Sequence, residues 1–176
     1  LWGQSTDGRQ QRLPASVPKF EHLRRSQQSS VALAADSSGL AVAMTGAGDQ
    51  PQRVIAAIVT DNYFDVLGVP PIVGRTFLQG EEDRAPVVVI TRQFWVNRLQ
   101  SDPNAVGRTL TFDSGPYTVV GIVGNLPASD VGAVEVFLPM PVSLSGLTPE
   151  LRQRGVSYLR ITGRLNPGVT IEQARA

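Results

Sequence analysis

The sequence has no cysteine and a single histidine, His22. Without thiols there is no disulfide framework, no thiolate metal site and no cysteine nucleophile. One imidazole alone leaves Asp and Glu to supply the rest of any metal site. Long apolar runs are also missing. None approaches the roughly 18 residues of a membrane helix, and no signal peptide is visible. Nor is there an excess of one charge: 16 basic residues stand against 15 acidic ones, a net +1. That balance gives no electrostatic case for nucleic acid, where a concentrated basic face is expected. It gives none for an anionic membrane surface either.

What is present is an ordinary globular balance, 41% hydrophobic and 18% charged, over 176 residues. That length suits one domain or two small subdomains. With 17 Gly and 13 Pro the chain must be rich in turns. It starts at Leu1 rather than Met, which suggests a piece of a longer protein.

Residues 1–15 are polar and read as irregular. Ser16 and Pro18 suit the start of a helix carrying Phe20 and Leu23 and ending near Gln28. Val31–Ala35 and Leu40–Met44 read as two strands with "DSSG" as the turn between them. "RVIAAIV" (Arg53–Val59) is apolar on both faces, which predicts a central strand. "PVVVI" (Pro86–Ile90) is a buried strand. Thr91 caps a helix over 91–100 that bears Phe94, Trp95 and Leu99. "RTLTF" alternates cleanly and, after "DSGP", "YTVVGIV" returns as a hairpin. "AVEVFLP" and "SYLRITGRL" are later strands, and "NPG" is a turn. Thr170 to Gln173 has capping-box spacing and predicts a helix start. Grouped strands with few helices make the fold class α+β.

The residues that carry chemistry have plain readings. His22, beside Glu21 and Arg24, is a surface or packing residue rather than a ligand. Glu81, Glu82 and Asp83 lack the alternating oxygens and Gly of a calcium loop and read as a solvated run. Asp61 and Asp65 are four apart, and Asp61 reads as the cap of a short helix that Gly68 ends. "GAGD" at Gly46–Asp49 lacks the third glycine of a nucleotide loop, and Pro51 sits where its helix should start. No serine sits in a nucleophile elbow. Arg75 either offers its fork to an anion or, the better reading, pairs locally with Glu82 or Asp83. No catalytic, cofactor-binding or metal-ligating residue is assigned, and no cofactor. Binding residues are not identified; exposed loops around Ser114 and Asp130 are the expected contact surfaces.

The segment Asn62–Phe77, "NYFDVLGVPPIVGRTF", has no obvious catalytic group, yet its two prolines and two glycines specify a rigid path. It predicts buried Phe64 and Leu67, a reversal at Gly68, a stiff Val69-Pro70-Pro71, a bend at Gly74 and a return to the core at Phe77.

Eight ordered motifs begin there: "NYFDVLGV…GRTF", "EED", "PVVVI", "FW…RL", "DPNAVGR", "YTVVGIV", "FLP" and "GRLNPGVT". In this order the chain resembles the MacB-like periplasmic core domain of ABC transporter permeases, from about Phe20 to Ala176. The resemblance implies a non-catalytic domain outside the cytoplasmic membrane, between the first and second membrane helices. It implies two lobes: a porter-like α+β lobe at 1–60 and 155–176, and an inserted, mostly-β sabre-like lobe at 61–154. The implied partners are the membrane-spanning remainder of the permease, a cytoplasmic ATP-binding subunit or domain, a permease dimer mate and a periplasmic adaptor protein. The implied work is coupling of ATP hydrolysis to extracytoplasmic movement, as in efflux by mechanotransmission. Leu99 stands where the family often has an aromatic. There is no Walker A loop, so this segment alone cannot hydrolyse ATP. The alternative is a free-standing secreted binding module or a hydrolase using scattered Asp and Glu, which would need a deep pocket with perturbed carboxylates.

Overall fold

The computed structural model describes residues 3–4, 10–11, 14–26, 31–45, 50–81, 86–124, 126, 134–140 and 158–170. The strands are β1 (Gly3–Gln4), β2 (Gln10–Gln11), β3 (Val31–Thr45), β4 (Gln52–Val59), β5 (Pro71–Gly74), β6 (Val87–Thr91), β7 (Thr109–Phe112), β8 (Gly115–Val123), β9 (Val136–Pro139) and β10 (Arg160–Leu165). The helices are α1 (Val17–Ser26), α2 (Tyr63–Leu67) and α3 (Arg92–Leu99). The fold is α+β, as expected.

β1 and β2 pair with each other. The other strands make one eight-stranded sheet in the order β10-β3-β4-β9-β6-β8-β5, with β7 pairing both β3 and β8. Those two pairings close a ring that runs β3, β4, β9, β6, β8, β7 and back to β3. β10 and β5 are the two ends of the order.

Side-chain alternation explains why both faces of this sheet are buried. One face gathers Met44, Val54, Ala56, Val88, Ile90, Leu110, Phe112, Val119, Ile122, Val136 and Leu138, so every strand of the ring contributes. Phe94 and Leu99 of α3 pack into the same cluster. The residues between them, including Ala57, Val59, Val87, Val89, Val120, Val123 and Phe137, face the other way. α2 covers that second face with Tyr63, Phe64 and Val66, and Phe77 joins them. The Phe64 ring stands edge-on to Phe137 at 5.1 Å between centroids, a favourable aromatic geometry. A third cluster, Val17, Phe20, Leu33, Ala35, Met140 and Leu159, seats α1.

Several local expectations hold. β4 is central, between β3 and β9, and all five residues of β6 are buried. The β7–β8 hairpin forms with Leu110 and Phe112 inward and Thr109 and Thr111 exposed. Thr91 caps α3, its hydroxyl accepting the Phe94 N–H at 3.1 Å. Gly68 ends α2 in the left-handed region at φ 70°.

Two expectations need correction. "DSSG" is not a turn: β3 runs straight through it and pairs with β4 on both sides of a bulge between Ser38 and Leu40. Gly39, at φ 84°, supplies the irregular residue. The chain stays extended because β4 offers a full antiparallel partner to both halves, which outweighs the turn composition. Asp61 is not the cap of α2. Asn62 holds that position, and no side chain caps the helix. α1 stops at Ser26. Trp95 is only half-buried; Phe94 is the residue of α3 that is 1% exposed. "GAGD" at 46–49, Glu82, Asp83, Asp130 and the residues after Thr170 in the expected C-terminal helix lie outside the described residues.

Phe64→Ala removes a fully buried ring from the second cluster and should cost about 3–5 kcal/mol. Trp95→Ala should cost distinctly less. Urea unfolding of both variants checks this, and equal losses would refute the different burial of the two rings.

Candidate functional site

The rigid segment singled out in the sequence is held by polar contacts along its length. Asp61 is 6% exposed. One of its oxygens accepts the Asn62 N–H at 2.8 Å, and the other accepts the Gly80 N–H at 3.2 Å. The start of the segment is thereby tied to its end. Arg24 of α1 stands 4.0 Å from the same carboxylate. The carboxylate thus serves a loop and a neighbouring helix rather than α2.

Arg75 has the local ion pair expected of it, but with Glu81. Two parallel bonds join the groups, Nη1 to Oε2 at 2.8 Å and Nη2 to Oε1 at 2.6 Å. The Leu78 N–H also donates to Glu81 Oε2, at 2.9 Å. Glu81 is therefore no solvated acid; it is 8% exposed. Burial raises its pKa, but the Arg75 hydrogen bond, the Leu78 N–H and the Arg75 charge together outweigh that and hold it below the ordinary carboxylate range. The hydrogen bond to Glu81 is the main cause raising the Arg75 pKa. Such a fork-to-fork pair fixes direction as well as distance.

The bend before Arg75 depends on two glycines. Gly74 has φ 73°. A Cβ at Gly74 would run into the Val120 carbonyl, and a Cβ at Gly121 would run into the Arg75 carbonyl. The Arg75 N–H donates to that Val120 oxygen at 3.0 Å. β5 and β8 meet here backbone to backbone, with no room for a side chain.

β10 adds a second pair of arginines. Residues 160 and 164 lie on one face of the strand because side chains repeat every second residue. Arg160 donates through Nε and Nη2 to Asp36 Oδ2, at 3.1 and 2.6 Å. Asp36 is 3% exposed. Nearby Tyr63 is buried in α2, and that burial, then the Asp36 carboxylate, pushes its phenol pKa well above the usual range despite Arg160. Arg164 Nε donates to the Val66 carbonyl at 2.7 Å. This bond meets one of the carbonyls that a helix leaves open at its C-terminal end.

In the last turn of α3, Arg98 bridges Glu135 at 3.2 Å, Gln52 at 2.8 Å and the Arg53 carbonyl at 3.3 Å. Apolar exposure concentrates around β5, where Ile72 is 50%, Val73 39% and Leu78 55% exposed. A shallow depression of 440 Å³ lies beside it, lined by Leu67, Val69, Pro70, Ile72 and Leu126 among others. His22 is exposed beside Lys19 and Arg25 at a second open hollow. The structure does not bring His22 together with Glu81, Asp65 or Ser114. Ser114 is exposed at the tip of the β7–β8 hairpin. Arg164 lies in the motif "GRLNPGVT" and Glu81 in "EED", but neither motif signalled the contacts these two residues make.

The family model described as the MacB-like periplasmic core domain matches residues 2–176. The chain belongs to that family. Three solved structures share the fold. The periplasmic region of MacB from Actinobacillus actinomycetemcomitans aligns at TM-score 0.69 and 20% identity, covering 93% of this chain and 70% of that one. The extracellular domain of the noncanonic ABC-type transporter YknZ, from Gram-positive bacteria, aligns at 0.65 and 12% identity, covering 92% and 78%. A domain of a putative permease protein from Porphyromonas gingivalis aligns at 0.64 and 16%, covering 92% and 72%. No curated protein matches the chain. This MacB-like periplasmic core domain has no helix long and apolar enough to cross a membrane among its described residues.

Two outcomes test the clasp around Arg75. Glu81 has a depressed folded pKa, so its contribution is fully present above the unfolded carboxylate value. It is lost as pH falls through the lower folded value. Glu81→Gln should therefore be less stable than the parent near neutrality, with the gap closing on acidification. Urea midpoints between about pH 7 and about pH 3 check this; a gap that stays constant would contradict it. Gly121→Ala should depress the melting temperature more than Gly39→Ala, whose added methyl meets open space. Calorimetry of the two variants decides that order.

Proposed function

We propose that this MacB-like periplasmic core domain is the non-catalytic extracytoplasmic part of an ABC transporter permease. The observation that carries the reading is the family match over residues 2–176. The likeness of fold to the periplasmic region of MacB supports it. Its implied partners are the membrane-spanning remainder of the permease and a cytoplasmic ATP-binding subunit or domain. A permease dimer mate and a periplasmic adaptor are further partners. Its work is to couple ATP hydrolysis to movement outside the membrane and to contact cargo or partner proteins.

The division into a porter-like lobe at 1–60 with 155–176 and a sabre-like lobe at 61–154 belongs to the same reading. On this division β10, β3 and β4 fall in the first lobe, while α2, β5 to β9 and α3 fall in the second. The lobes then share one sheet, and β4–β9 is one seam between them. Polar fastenings such as Arg98–Gln52 and Arg164–Val66 cross that boundary. A domain that transmits movement needs such non-covalent continuity.

A secreted hydrolase would use a carboxylate with a displaced pKa. Glu81 is such a carboxylate, but Arg75 and the Leu78 N–H already occupy it.

The full-length gene should encode one membrane helix before this segment and three after it. Ser114→Cys in that protein should react with a membrane-impermeant maleimide in intact spheroplasts. Labelling only after lysis, or a gene without flanking membrane helices, would overturn the permease reading.

A further inference from the structure

β10 and β5 stand at the two ends of the sheet order, yet a short stretch of chain connects them in space. α2 touches β3 and β10. Its last turn receives Arg164 of β10, whose Nε donates to the Val66 carbonyl at 2.7 Å. The guanidinium then lies over Gly68, so close that a Cβ there would sit 2.6 Å from Nη2. Gly68 is left-handed and caps the helix, its N–H donating to Asp65 O and the next N–H, of Val69, to Phe64 O. Val69 and Pro70 follow, and Pro71 already pairs with Val123 of β8.

We propose that α2 and residues 68–70 form a tie between the two end strands, and that Arg164 is its removable pin. The β5 end of the tie is built into the backbone. It rests on β-pairing and on the close approach at Gly74 and Gly121, which leaves no room to slip. The α2 body is anchored by Tyr63, Phe64 and Val66 in the second cluster. The β10 end differs in kind: an exposed arginine holds one carbonyl at a glycine cap. A contact of few, solvent-accessible bonds opens at lower free energy than a packed core. Loss of the pin leaves the Arg164 end of β10 with its edge pairing to β3, so that this end can fray and move relative to β5 while the six-stranded ring stays closed. This positioning role for Arg164 stands on geometry alone and does not use the permease reading.

Because the chain has no cysteine, two nitroxide labels can be placed cleanly. The 176-residue chain is labelled at Ile72→Cys on β5 and Leu165→Cys on β10, both exposed positions. A control pair, Leu40→Cys and Thr109→Cys, reports on strands of the closed ring. In the parent, the Ile72–Leu165 distance distribution by electron spin resonance should be narrow. Arg164→Ala should broaden or displace it and leave the control pair unchanged. Arg164→Lys, which keeps the charge but loses the rigid planar fork, should give an intermediate width. Hydrogen exchange at Gly68 and Val69 should quicken about tenfold in Arg164→Ala, with the ring amides unaffected. An unchanged Ile72–Leu165 distribution overturns the proposal. So does equal broadening of both pairs in Arg164→Lys, which would make Arg164 a general stabiliser of the fold.

Discussion

Strands β4, β6, β8 and β9 are apolar on both faces, so two opposite surfaces of one sheet must be kept from water at once. Burial at roughly 25 cal/mol per Å² makes that demand the dominant one. The ring closed by β7 answers it for one face, with Phe94 and Leu99 of α3 filling in. The five-residue helix α2 answers it for the other, and its brevity explains why two of its residues are aromatic. Large rings cover more surface per residue than any aliphatic side chain. The segment without chemistry in the sequence is thus the cover of the second core.

How much of this was legible depended on whether the deciding partner was near in sequence. "RVIAAIV", "PVVVI" and the alternating "RTLTF" declare strands because burial on two faces or one is written in the run itself. Thr91 declares a cap because its acceptor serves an N–H three residues on. "DSSG" misled because its composition favours a turn, whereas β4, beyond the next loop, holds the strand straight. Asp61 misled for the same reason: its second partner is Gly80. Glu81 was hidden among neighbouring acids, and nothing distinguishes it from Glu82 until the fold turns it towards Arg75. The candidate site was legible as a rigid path and illegible as a set of contacts. Arg164 to Val66 spans 98 residues, and no local pattern encodes such a meeting.

The arginines divide into two kinds of work. Arg75 and Arg160 face buried carboxylates, where a planar fork satisfies two bonds in a fixed direction. Removing the arginine would leave a buried carboxylate with weaker compensation in a poor solvent for it. Arg98 and Arg164 instead reach backbone carbonyls and join elements distant in sequence. The near-neutral net charge conceals this use: the cations act as local fasteners rather than as a field felt by a distant ligand.

Pro70 and Pro71, read above as stiffeners, have a further effect because β5 ends the sheet. Neither carries an N–H, and Ile72 interrupts the register with β8. A terminal strand with missing donors and broken spacing is a poor template for another chain. Among the described residues, the strand with the most exposed large apolar side chains is therefore also one onto which a neighbouring copy cannot readily zip, and protection against fibre-like assembly comes from the residues that shape the fold.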